Sequence, residues 1–288
     1  MKLRLVGTVV LGIAVVMISF GTGYAVEETQ RYMKFPSGKY RLNVGAYMAE
    51  LDSSVQLGAK STATGVVVDV EQALGLDTNL AVFVARFDAA LGKKRRHHLA
   101  VGWADFRRSG FRQVTEDIPI GDTTIPTGST VETKFNFQIL SLKYKYTLIQ
   151  ARRVWVNLGA GAFVMPLEFE TEFRAPGAGV DETAGASITA PLPVVGVDLL
   201  VALTPRLVFY QNLDVFYLKF GDFTGNILDL GLGLEYQITK NFGIGGGYNT
   251  FDLQVEAEGN DFPGVDLVGI VNFRFSGVFI YAAVKWGG

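Results

Sequence analysis

The sequence predicts an all-β chain, closed into an antiparallel transmembrane barrel, and three observations carry that expectation. Leu228, Leu230, Leu232, Leu234, Tyr236 and Ile238 alternate with Asp229, Gly231, Gly233, Glu235 and Gln237. A strand sends successive side chains to opposite faces, so this segment has one apolar face and one polar, glycine-rich face. Similar dyads recur along the chain, separated in turn by short basic turns and long acidic loops. Hydrophobic residues make up 49% of the chain, yet beyond the first 25 residues none of them gather into a run long enough for a spanning helix. High but discontinuous apolar content, alternating at period two, is how a barrel with a lipid face and a polar lumen is written.

The N-terminus reads as an export signal. Lys2 and Arg4 form a basic region, Leu5 to Phe20 an apolar core, and Gly23-Tyr24-Ala25 a small-x-small cleavage site. The expected organisation is therefore a signal peptide over 1–25, a periplasmic segment over 26–39 and a barrel over 40–288. Phe (21), Tyr (11) and Trp (3) are numerous enough to line two membrane interfaces. There is no cysteine, which excludes disulfides and thiolate metal sites. A net charge of −2 gives no reason to expect nucleic acid as a partner.

Ten strands are predicted, or eight if one hairpin stands above the membrane. They span Arg41–Leu51, Leu80–Leu91, His98–Phe106, Phe135–Leu148, Val154–Met165, Leu192–Leu203, Leu207–Leu218, Asn226–Ile238, Phe242–Thr250 and Val278–Trp286. Most match the roughly 9–11 residues that a tilted strand needs to cross the hydrocarbon. Short connections fall at Gly92–His97, Ile149–Arg153, Thr204–Arg206 and Thr239–Asn241. Long ones fall near Asp52–Asn79, Arg107–Lys134, Pro166–Pro191 and Phe251–Gly277, with Lys219–Thr224 a shorter exception. The short turns carry Lys93, Lys94, Arg95, Arg96, Arg152, Arg153, Arg206 and Lys240 and no carboxylate; the long loops carry most of the acidic residues. Short periplasmic turns and longer outer loops are the expected asymmetry.

Two strands lose their apolar phase toward the long loops. Beyond Pro166 the apolar set passes to Leu167, Phe169 and Phe173, and Thr250-Phe251 shows the same change. Proline cannot donate to a ladder, so a break or bulge is expected there. Val66–Val68 is strand-like, and Val70–Leu76 reads as one helical turn.

The pattern resembles the small outer-membrane β-barrel proteins of Gram-negative bacteria over almost the whole mature chain. Its most specific piece is the C-terminal run Val278–Trp286, whose alternation toward a terminal aromatic looks like the signal read by the barrel assembly machinery, with Tyr281, Val284 and Trp286 as its apolar positions. Gly287-Gly288 after the aromatic is a departure from that form. The resemblance implies outer-membrane lipids and lipopolysaccharide as surroundings, and a possible small solute.

By parity the lumen receives Arg86, Asp88, Lys143, Lys145, Asn157, Asp198, Asn212, Asp214, Asp229 and Glu235. A barrel this narrow is largely filled by its own side chains, so these charges form either a mutually satisfied plug or an ion-selecting constriction. Gly45, Gly102, Gly159, Gly161, Gly231, Gly233, Gly243 and Gly245 also face inward and either clear a path or permit strand coiling. His97 and His98 lie at a basic short turn, where they are expected to be solvated, and no catalytic residue, metal or cofactor is assigned. The expected function is either a narrow porin-like passage of small solutes or a largely plugged structural barrel, with surface interaction or adhesion through the long acidic loops as the alternative and an outer-membrane hydrolase disfavoured.

Overall fold

In the computed structural model the described residues are 38–57, 66–113, 118–120, 123–125, 127–174, 181–220, 223–257 and 269–287. The expected signal peptide and most of the periplasmic segment lie outside them. The strands are β1 (Tyr40–Leu57), β2 (Val66–Asp69), β3 (Asn79–Leu91), β4 (His97–Gln113), β5 (Ile118–Ile120), β6 (Thr123–Ile125) and β7 (Thr130–Gln150). They continue as β8 (Val154–Arg174), β9 (Asp181–Ala202), β10 (Leu207–Phe220), β11 (Phe223–Gln237), β12 (Phe242–Ala257) and β13 (Gly269–Trp286). One helical turn, α1 (Val70–Leu74), follows β2 as expected.

Each neighbour pairs antiparallel in the order β13-β12-β11-β10-β9-β8-β7-β4-β3-β1, and β13 pairs back onto β1. The result is a closed ten-stranded barrel, and all ten predicted strands are in it. β2 rides on β1 as an extra edge, and β5–β6 form a separate two-stranded ribbon in the long loop after β4. Four tight connections close one rim; the other five stand at the opposite rim, where the link between β10 and β11 is only residues 221–222. A bulge shifts the β7–β8 register between Thr147 and Ile149, next to the short-turn rim.

The strands are taller than a bilayer requires. β7 and β8 have 21 residues each and β9 has 22, against roughly 9–11 needed to span. This corrects the expectation of a phase slip at Pro166 and Thr250; the break expected at Pro166 is present, since the β7–β8 ladder lapses at Gln138 and Ile139, but the register is the same on both sides of it. The β8–β9 register runs unbroken from Val154 opposite Val201 to Arg174 opposite Asp181. Phe163 and Met165 point inward beside Asn157 on one parity, while Leu158 and Glu168 point outward on the other. Phe251 is likewise inward, in phase with Asn249, and Asp252 is outward. What changes is the solvent. Outside the lower strands is lipid, so apolar residues face out; outside the upper strands is water, so they face in.

That change draws a belt around the wall. Outward Val44, Met48, Val101, Leu142, Leu158, Val195, Leu232, Leu234, Ile244, Val278 and Ile280 are exposed. Toward the long-loop rim the outward set turns polar at Glu50, Asp105, Glu168, Asp252 and Arg274, with Arg274 and Asp252 paired at 2.7 Å. Near the short-turn rim, Tyr40, Phe87 and Trp286 form a ring cluster on the outer wall, with centroids 5.8–6.2 Å apart. Phe83, higher on β3, pairs with Trp103 of β4 at 5.7 Å. These are the interfacial aromatics expected at the two edges of a lipid band.

The candidate functional site: a lumen filled in two layers

The lower lumen is a network of ion pairs. Lys143 of β7 pairs with Asp214 of β10. Lys145 bridges Asp88 at 2.7 Å and Asp198 at 3.1 Å, and Arg86 approaches Asp198 at 3.9 Å. Glu235 takes Arg41, Gln237, Lys285 at 2.7 Å and the Tyr281 hydroxyl at 2.8 Å. Asp229 accepts from the Asn249 amide at 2.7 Å and stands opposite Asp214 across β10–β11. Every lumen charge read from parity therefore faces inward. Lys143 and Asp214 lie on strands separated by β8 and β9, and their pair runs along the inner wall over Gly161 of β8 and Gly196 of β9.

The inward glycines make room for these side chains. A Cβ at Gly161 or Gly159 would run into Lys143 or Lys145, and one at Gly196 into the Asp214 carboxylate. One at Gly233 would meet the Tyr210 ring, and one at Gly245 the Tyr281 ring. At these positions neither expected reading holds alone: the space is cleared, but a neighbouring strand's side chain occupies it.

His98 corrects the sequence reading. It is buried, with Nδ1 3.0 Å from Asp88 Oδ1 and Nε2 3.2 Å from the Thr147 hydroxyl, and that hydroxyl donates to Asn157 at 2.7 Å. The reason is parity: β4 begins at His97, so His98 is its first inward residue. His97 is exposed and lies 2.5 Å from the Tyr144 hydroxyl on the outer wall. Arg41 and Lys285 were missed as network members. Arg41 opens the inward parity of β1, and Lys285 alternates with outward Val284 and Trp286, so both were legible from the same rule. Of the three expected assembly positions, Val284 and Trp286 face out while Tyr281 faces in.

Above this network the lumen is apolar. Phe106 stacks on Phe137 at 4.3 Å, Phe251 on Phe275 at 4.8 Å, and Phe137 meets Phe273 edge-on at 4.8 Å. Tyr47, Leu51, Val82, Phe163, Met165, Val194 and Ile227 complete the layer, all buried. Over it Arg108, with its side chain fully buried and its guanidinium 5.8 Å from the Phe135 ring, pairs with Glu71 of α1 at 2.8 Å. Glu71 also accepts the Ser53 amide at 2.9 Å, so this single carboxylate pins the helical turn onto the barrel mouth.

A closed sheet with an apolar belt, aromatic edges and a charged interior has no other solvent to suit it, because a spanning sheet must leave no open edge in lipid. The chain is a transmembrane β-barrel of the outer-membrane type.

No protein-family model and no curated protein sequence matches this barrel. Among solved structures it is similar to the outer membrane protease OmpT from Escherichia coli, at 13% identity and TM-score 0.49, covering 90% of this chain and 99% of that one. It is also similar to Ail, the attachment invasion locus protein of Yersinia pestis (8% identity, TM-score 0.34, 85% and 99% covered), and to the Pseudomonas putida toluene transporter TodX (8%, 0.31, 88% and 91%). At such values these likenesses say nothing about what this barrel binds or cuts. Among the described residues no cluster of three metal-binding side chains occurs.

Proposed function

We propose that this protein is a closed, non-conducting barrel of the outer membrane that acts at the cell surface through the strands and loops standing above the bilayer. The observation that supports this reading is the double filling of the lumen. Ion pairs occupy its lower part, and a phenylalanine-rich layer with members at 1–6% exposure occupies its upper part. A solute would have to break buried ion pairs and displace packed aromatic rings in succession, which a pore open at rest does not ask of it. The chain would be exported by its N-terminal segment and inserted by the barrel assembly machinery, with its long loops outward. The tall β7, β8 and β9 then present the surface offered to partners. No hydrolytic role is proposed for His98, whose ring nitrogens are both engaged at the short-turn end, far from outer-leaflet substrates.

Reconstitution into a planar lipid bilayer tests the reading. The expected trace is electrically silent. Reproducible single-channel steps, with a selectivity altered by Lys143→Glu or Asp229→Lys, would overturn it in favour of a solute passage. Loss of attachment or serum survival on deleting residues 175–180 and 258–268 is expected for a surface role.

A further inference from the structure

The seam between β9 and β10 stops short. Their pairing covers only Val195–Ala202 against Val208–Val215. Beyond it β10 continues against β11 to Phe220 opposite Phe223, and β9 continues against β8 to Asp181 opposite Arg174. Above Val195 and Val215 no ladder joins the two strands, and this unpaired stretch is a notch in the hydrogen-bonded wall.

Backbone direction explains where the seam ends. The Ala202 amide donates toward β8, to Arg153 at 2.7 Å, and the Leu203 amide donates toward β10, to Leu207 at 2.9 Å. Directions alternate along an antiparallel strand, so every odd-numbered residue of β9 turns its N–H position to β10. The next two above Val195 are Pro193 and Pro191, which have no N–H to give. One missing donor is survivable. Pro166 turns its N–H position to β7, and that ladder lapses only opposite Gln138 and Ile139 before resuming at Leu167 with Phe137. Two in succession end the seam.

The notch is apolar and sits at the top of the belt. Pro191 and Pro193 are exposed on the outer wall of β9; opposite them Tyr217 is 68% and Leu218 45% exposed. Its floor is Leu192 and Phe216, half-buried and packed against the aromatic layer, with Val194 buried beneath them. Outward residues of β10 are apolar or aromatic at Leu213, Val215 and Tyr217, and the next is Lys219, exposed.

We propose that this notch holds one acyl chain of an outer-leaflet lipid, entering sideways between Pro193 and Tyr217, with Lys219 against the lipid phosphate. A hydrocarbon chain needs no backbone partners, whereas an added strand would need the donors that the two prolines remove. The apolar floor receives the tail, and the lysine sits at the height where the belt gives way to the headgroups.

The test is photo-cross-linking of the whole protein in phosphatidylcholine vesicles containing phosphatidic acid with a diazirine at its chain end. Leu192 and Phe216 face inward, so lipid reaches them only through the notch, while outward Leu232 reports ordinary lipid contact and correct insertion. The expected result is adducts on Leu192 or Phe216 as well as on Leu232. Pro191→Ala/Pro193→Ala restores both donors and should zip the seam. Leu218→Trp fills the notch without touching the ladder. Both should lose the inward adducts and keep those on Leu232, and Lys219→Glu should weaken labelling by phosphatidic acid but not by a diazirine diacylglycerol. Wild-type adducts confined to outward residues, or inward adducts unchanged in both variants, would overturn the proposal. So would a wild-type dimer with amides protected from hydrogen exchange over 181–193, which would assign the edge to strand pairing.

Discussion

Replacing Lys143 by alanine should be among the most damaging single changes in the lower lumen. Its side chain is 7% exposed and that of its partner Asp214 only 2%. Removing the ammonium leaves Asp214 buried directly opposite Asp229, so one uncompensated carboxylate faces a second across β10–β11. Breaking a buried pair from one side costs about 3–5 kcal/mol, and this arrangement belongs toward the upper end. Lys145→Ala should cost less, about 1–3 kcal/mol, because His98 still meets Asp88 at 3.0 Å and Arg86 still faces Asp198. Lys143→Met/Asp214→Leu should recover most of the loss, since no charge is left behind. Equilibrium urea unfolding from phospholipid vesicles gives each free energy from the midpoint and slope. A double-mutant cycle between Lys143 and Asp214 should show coupling above about 1 kcal/mol. Coupling near zero, with Lys143→Ala no worse than Lys145→Ala, would mean that the lumen is hydrated and the filled-barrel argument fails.

Other outcomes follow from the same geometry. Leu232→Arg, on the lipid face, should cost about 2–4 kcal/mol in the same vesicle assay, while Leu232→Phe should be tolerated. Glu71→Ala should release α1 from Arg108, seen as faster protease cleavage between 70 and 78 with the barrel core left resistant. An epitope inserted between Arg96 and His97 should stay hidden in intact cells and become accessible on permeabilisation; surface labelling would reverse the orientation.

Parity made most of this structure readable before any coordinates. All ten strands, the inward charges and the helical turn after Val66–Val68 follow from alternation, turn residues and charge. Pairing between strands that are not neighbours was not readable, because nothing local says that Lys143 will reach over Gly161 and Gly196 to Asp214 rather than to Asp198 or Asp229; closure and stagger decide it. The upper core was hidden for a different reason. Phe163, Met165 and Phe251 keep the parity of the polar lumen residues below them, and the pattern of polarity reverses around them. A rule that equates apolar with outward reads that reversal as a slip. His98 escaped notice through its neighbours: a basic turn suggests solvent, although its own parity sends it inward.

The reversal also gives the proposed closure of the lumen a physical cause. A strand within the bilayer is held by its outward face, so its inward face is free to carry charge provided that the charges pair. Once the same strand rises into water its outward face contributes nothing apolar, and only inward burial can hold it. Each fully buried phenylalanine or methionine there is worth about 1.5–3 kcal/mol, and Phe106, Phe137, Phe251 and Met165 are each at 1–2% exposure. On the reading proposed above, the aromatic layer that keeps tall strands standing above the membrane is the same set of atoms that would block the lumen. Height of the rim and openness of a pore compete for one interior, and the silent bilayer trace expected above is the outcome if height has taken it.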